Sequence, residues 1–258
     1  MISCARRRAA GTGATRFAAP NRAEPRRETT RYDRTMAHTL PLDPDQLLTT
    51  TRAVRRRLDY DRPVPRVLLE ECLEIALQAP SGSNARGWHF VAVGDPEKKA
   101  AIGDLYRQSF DEYRGMPFSA HALAKGAKAE ETGTMNAVVS SAEALATNLH
   151  RAPWIVIACS NGRIPAIEGP VGHGMQAAIW GSIAPAFWSF MLAARARELG
   201  TAWTTLHLTF EKEIAEILNI PFDEVMQAAL SPLAFTIGTD FKPARHRDLE
   251  SVLHVDQW

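Results

Sequence analysis

The chain has 258 residues, of which 45% are hydrophobic and 23% charged, with a formal net charge of +1. This is the composition of an ordinary globular protein with material for a sizeable core, arranged as one large domain or two small ones. Its three cysteines, Cys4, Cys72 and Cys159, are far apart and form no CxxC pair, which excludes a disulfide framework and a cysteine zinc site.

The near-neutral total hides an asymmetry. Residues 1–35 hold nine Arg and no Lys against three acids, a sum of +6, which leaves the body at −5. This stretch lacks the apolar run of a signal peptide. It reads as a disordered tail, as an organelle transit peptide, or as translated sequence upstream of a true start at Met36. Its scarcity of aromatic residues argues against nucleic-acid binding. The expected organisation is a basic tail over 1–40 and a single domain over 41–258, in the cytoplasm.

Pro41–Thr51 predicts a short helix, followed by the basic run "TRAVRRRLDYDRPVP". Arg52 and Arg56 are four apart, so on a helix they share a side and suit a phosphate. After Pro65, the apolar residues Leu68, Leu69, Cys72, Leu73, Ala76 and Leu77 recur at helical spacing, and Pro80 closes that helix. The loop "PSGSN" follows, then a strand over His89–Val93. A turn and helix occupy "GDPEKKAAIGDLYRQSFDEY". Residues 114–135, rich in Gly, Ala and Lys, read as a mobile excursion. A helix over 136–150 leads to the buried strand "WIVIAC", where Cys159 serves as a small hydrophobe.

Met175–Ala194 runs twenty residues without a charge, long enough to span a bilayer. Its Gln176, Ser182, Ser189 and central Pro185, and the lack of a second such span, favour a helix buried in a core or a dimer interface. Gly200 is placed as that helix's C-terminal cap. "TAWTTLHL" predicts a strand, "TFEKEIAEILNI" a helix capped by Thr209, and "ALSPLAFTIG" another strand. In the polar tail "FKPARHRDL", Arg245 and Arg247 share a side of an extended chain. Strands alternate with helices, giving an α+β or α/β domain. No GxGxxG follows the first strand, and GxxxxGK[ST], HExxH and GxSxG are absent, so a nucleotide-binding fingerprint, a metal site and a serine hydrolase are not expected.

Several of these segments occur in a fixed order, carried on three stretches. "TTRAVRRRLDYDRPVPRVLLEECLEIALQAPSGSNARGWHFVAV", "APAFWSFMLAARARELGTAWTTL" and "FKPARHRDLESVLH" together resemble the nitroreductase family of flavin enzymes over roughly residues 45–255. The resemblance implies the nitroreductase fold, a central mixed β-sheet flanked by helices with the long apolar helix at the interface of an obligate homodimer carrying two FMN sites. It implies that Arg52, Ala53, Val54 and Arg56, with Arg245 and Arg247, hold the phosphate. Pro80, Ser81, Ser83 and Asn84 reach the flavin, Pro80 and Ser81 serving the partner's cofactor. Backbone amides of Thr204, Thr205 and Leu206 approach the isoalloxazine edge. The implied activity is ping-pong transfer of hydride or electrons from NADH or NADPH through FMN to an electron-poor small molecule such as a quinone or nitroaromatic, with no catalytic side chain and no membrane or nucleic-acid partner. A flavin-fragmenting or dehalogenating relative and a non-catalytic flavin-sequestering protein are the alternatives. Two positions depart from the family pattern. Arg86-Gly87 replaces the usual Gln-Pro and sets a cation near the flavin; Val54 replaces a frequent Ser, which spares a backbone contact but not a hydroxyl contact.

Overall fold

Trp154–Asn161 is buried at every position from Ile155 to Ser160. A strand can be buried throughout only when both faces of its sheet are covered. The computed structural model, which describes residues 39–164, 168–244 and 248–258, all in the unit Met36–Trp258, shows that arrangement. This strand, β3, lies between β2 (Trp88–Val93) and β5 (Val225–Thr236). The described sheet runs β1-β5-β3-β2, where β1 is Leu58–Asp59, and β4 (Leu199–Thr201) also pairs with β5. All pairs of named strands are antiparallel, and the parallel component is confined to the isolated bridges Ala53↔Thr201 and Gly162↔Val225.

Alternate β3 residues enter two different cores. Val156 and Ala158 join α2 (Arg66–Ala76) and α6 (Gly169–Ala196) through Leu69, Cys72, Phe187 and Phe190. Ile155, Ile157 and Cys159 join α3 (Pro96–Arg114), α5 (Ala129–Asn148) and α7 (Glu211–Leu218) through Ile102, Leu145 and Ile214. The result is three layers: helices, sheet, helices. Burial pushes both the Cys72 and the Cys159 thiol up to about 12, so they are inert core side chains, as the sequence pattern predicts.

Several local expectations are corrected. The first helix, α1 (Pro44–Thr50), ends before the basic run, so residues 52–57 are not helical. Thr49, Thr50 and Thr51 each turn a hydroxyl back to the carbonyl four residues earlier, at 2.6 Å, and β-branched threonines extend a helix poorly. Residues 114–135 are an ordered helical cover. Ser119 caps α4 (Ala120–Lys125), Tyr113 Oη accepts the Ala120 N–H at 2.7 Å, and α5 begins at Ala129. Thr209 does not cap α7; Phe210 holds that position, and the Thr209 hydroxyl meets Ser109 at 2.8 Å.

The long helix α6 is two-sided along its length. Its C-terminal half carries Phe187, Phe190, Ala186 and Ala194 into the core, while Val171, Met175, Trp180 and Trp188 stay exposed. Ring stacking of Phe187 on Phe190 at 5.7 Å, and the edge of Trp203 against Phe187 at 5.0 Å, tie the helix to the segment after β4.

Gly200 is not the helix cap. Arg197 ends α6, Glu198 takes the left-handed conformation at φ 63°, and Gly200 lies in the middle of β4. Its reason is close approach. A Cβ there would come within 2.8 Å of Leu58 Cδ2 and Thr236 Cγ2 and 3.0 Å of Val54 Cβ. Two of those neighbours are β-branched and stiff. Gly200→Ala is expected to lower stability by about 1–3 kcal/mol through overpacking; urea unfolding with an unchanged midpoint would contradict this.

Candidate functional site

The cavity that brings sequence-predicted residues together measures about 400 Å³ and lies where the basic run, the segment after β4 and the helices α3 to α5 meet. That size suits a small-molecule pocket. Its walls include Arg55, Tyr106, Tyr113, Trp203, Thr204 and Thr205, with Ala120 contributed by α4 and Val138 and Ala142 by α5.

The arginine in this cavity is Arg55, which the helical reading of the basic run passed over. With α1 finished at Thr50, positions 52–57 alternate as extended chain and turn rather than as a helix face. Arg52, Ala53 and Arg56 are exposed. Val54 is 5% exposed and gives its N–H to Thr201 O at 2.7 Å, so neither its side chain nor its amide is left for a ligand. Arg55 is half-buried, and its guanidinium has no hydrogen-bond or ion-pair partner among the described residues. Burial lowers its pKa from the ordinary value, with the Tyr106 and Tyr113 hydroxyls opposing, and a guanidinium remains charged at neutral pH. Arg57 has a structural task instead. It donates to Asp240 Oδ1 at 2.6 Å and Ile237 O at 2.7 Å and covers the Phe241 ring at 4.3 Å. It thereby fixes the chain just ahead of Arg245 and Arg247, which lie outside the described residues.

Of the three amides at Thr204, Thr205 and Leu206, two are committed. Thr204 exchanges both backbone hydrogen bonds with Leu230 at 2.9 Å, and the Leu206 N–H reaches Thr204 Oγ1 at 3.4 Å. The Thr205 amide has no partner among the described residues. The cavity's donors without a described partner thus include the Arg55 guanidinium and the Thr205 amide, between aromatic walls, and no acidic side chain lines it among the described residues. That donor set suits a flat ligand bearing electronegative edge atoms or negative charge. Burial raises the Tyr106 phenol pKa, so this hydroxyl stays protonated.

The loop residues are elsewhere. Ser81 and Ser83 line a second cavity of about 380 Å³ together with Asn161, Ala178 and Ser182, and not the arginine cavity. The Gly82 N–H donates to Ser182 Oγ at 2.9 Å, which seats the loop on α6. Ser81 Oγ accepts the Arg86 N–H at 3.1 Å. Ser83, Asn84 and Arg86 all have positive φ, at 51°, 53° and 50°, a conformation that costs free energy for residues with a Cβ. Pro80 and Asn84 are exposed. The Arg86 side chain donates to Asn84 Oδ1 at 2.9 Å and lines neither cavity.

Behind the arginine cavity's wall, His207 is fully buried with both ring nitrogens unpartnered. Burial depresses its pKa from 6.5 to about 3. The unfolded chain takes up this proton below pH 6.5, and the folded chain does not until about pH 3. Stability from this group is complete above pH 6.5 and is lost as pH falls through that window. Relative to His207→Leu, the wild-type should lose up to about 1.4 kcal/mol per pH unit across the window. Parallel urea midpoints for the two proteins from pH 7 to pH 4 would refute the assignment.

The Nitroreductase family model matches residues 48–238. A Thermus thermophilus protein named NADH dehydrogenase is 46% identical over 69 residues, 26% of this chain and 32% of that protein, so the match spans about a third of that relative. Among solved structures, a variant of the FMN and NADPH-dependent nitroreductase NfnB from Sphigopyxis superposes with a TM-score of 0.61 at 19% identity, covering 84% of this chain and all of that one. Iodotyrosine deiodinase bound to FMN and 3-iodo-L-tyrosine superposes with a TM-score of 0.53 at 20% identity, covering 78% and 93%. At these identities the superpositions establish the shared fold.

Proposed function

The chain belongs to the nitroreductase family, and on that footing we propose that it is an FMN-dependent oxidoreductase. It takes reducing equivalents from NADH or NADPH and passes them to an electron-poor acceptor, a quinone or nitroaromatic, the two substrates using one pocket in turn. The observation that carries this reading is the arginine cavity, with unpaired donors at Arg55 and Thr205 between aromatic walls and no acid to oppose an anion. Solved relatives whose names include FMN support it.

When bound, FMN supplies the hydride and electron chemistry. The chain's residues have other tasks. Arg55 and the Thr205 amide stabilise negative charge at the ligand edge; Tyr106, Tyr113 and Trp203 give flat walls and displace water. Arg52 and Arg56, exposed and without described partners, are proposed with Arg245 and Arg247 to hold the phosphate. No general acid or nucleophile is required, so no catalytic side chain is assigned.

The separation of the two cavities supports a homodimer. Pro80, Ser81, Ser83 and Asn84 are proposed to complete the flavin site of a second copy. The exposed apolar residues of α6, Trp180 and Trp188 among them, form the surface proposed to carry them there.

Two tests apply. The purified protein is expected to show flavin absorption that bleaches on anaerobic addition of NADH or NADPH. Bands that persist with both nucleotides would convert the reading to a flavin-holding protein, and failure to take up FMN would end it. Arg55→Gln should weaken FMN binding about tenfold to a hundredfold, the worth of a hydrogen bond to a charged group. For the dimer, a Cβ at Gly181 meets nothing within 4 Å in the single chain. Gly181→Arg should therefore fold while losing both the dimer in sedimentation and FMN uptake; an FMN-loaded dimer of this variant would refute the interface.

A further inference from the structure

The Thr204–Leu206 wall is gripped by one face of α3. Tyr106 and Ser109 are three residues apart and so point the same way from the helix. Tyr106 Oη lies 2.9 Å from Thr204 Oγ1, and the Ser109 hydroxyl donates to Leu206 O at 2.6 Å while contacting Thr209 Oγ1 at 2.8 Å. Both side chains are buried, at 3% and 2% exposure. On its other side the same segment is held by the two Thr204–Leu230 backbone bonds. The Thr204 and Leu206 amides flanking Thr205 are thus both held, while the Thr205 amide between them has no partner among the described residues.

We propose that Tyr106 and Ser109 are positioning residues. They fix the turn on both sides of Thr205, so that its amide is presented to the flavin edge at a set place rather than swinging with a surface loop. This rests on the FMN reading. A preorganised donor discriminates between charge states of a ligand, because it pays no reorganisation when negative charge arrives. A loosened donor would still bind the oxidised cofactor, whose edge is neutral, but would lose more of its hold on the reduced one. The hydroxyls therefore act on the cofactor's reduction potential, which simple core packing would leave unchanged.

The experiment compares the FMN-loaded wild-type protein with Tyr106→Phe and Ser109→Ala. Ile102→Val, at a fully buried position on the same helix, serves as a packing control. Each hydroxyl deletion should weaken FMN binding about threefold to tenfold, the worth of one neutral hydrogen bond. A reduced form weakened about threefold to tenfold more than the oxidised form moves the two-electron midpoint about 15–30 mV more negative. The control should melt earlier and keep the wild-type midpoint. Hydroxyl variants that melt earlier but keep that midpoint overturn the inference and leave the flavin reading standing. A wild-type chain that takes up no FMN removes the flavin reading and this inference with it. Ser109→Ala deletes a single oxygen and decides the matter if Tyr106→Phe does not fold.

Discussion

A proline in an inner strand shapes the site side of this fold. Pro232 stands in β5, which is paired on both edges, and it has no N–H to give the ladder. By register its missing proton faces Ala202, one residue beyond the end of β4. The Ser231 hydroxyl fills the gap: it accepts the Ala202 N–H at 2.9 Å and donates to Pro232 O at 2.7 Å. A hydroxyl thus replaces a direct ladder bond, and the chain stands off from β5 at Ala202 and Trp203. It returns only at Thr204, where the Leu230 bridge forms. The stand-off is where Trp203 reaches Phe187 and where the turn that walls the arginine cavity begins.

The rest follows from a sheet with both faces covered. Side chains of β3 from Ile155 to Cys159 are used up by two cores, and only the end of the strand, at Ser160 and Asn161, reaches either the arginine cavity or the loop cavity. Much of the lining of the two cavities comes from segments that leave the sheet: the non-helical basic run, the turn after β4, and the loop before β2. Helices on opposite faces then cover different segments. The α3–α5 layer roofs the arginine cavity, and α6 floors the loop cavity. Placing donors on short segments pinned at both ends gives a rigid site without spending core residues on it.

The layers were legible in the sequence because "WIVIAC" is too apolar for a half-exposed strand and the helices around it carry a 3.6-residue period. The ordered series of motifs pointed to the family. Choosing among adjacent arginines was beyond a periodicity argument. Arg52 and Arg56 pair only if the helix continues, and three consecutive threonines end it, which turns Arg55 inward. Residues 114–135 lack a strong apolar stripe because α4 is one and a half turns long and covers a cavity rather than a core. Gly200 has the look of a helix cap; its close contacts come from Leu58 and Thr236, distant in sequence, and no local pattern encodes them. Nor does composition reveal that Thr204's amide is taken while Thr205's is free.

The two cavities of one chain stand apart, and in the proposed dimer each cofactor draws its arginine from one copy and its serine loop from the other. The chain's two functional segments are then separable in inheritance. A copy impaired at Arg55 and a copy impaired in the loop, each without function as a pure population, assemble into a mixed pair in which one cofactor meets an intact arginine and an intact loop. Such a dimer would let defective alleles complement each other, and would expose a substitution in either segment to selection through its effect on another molecule.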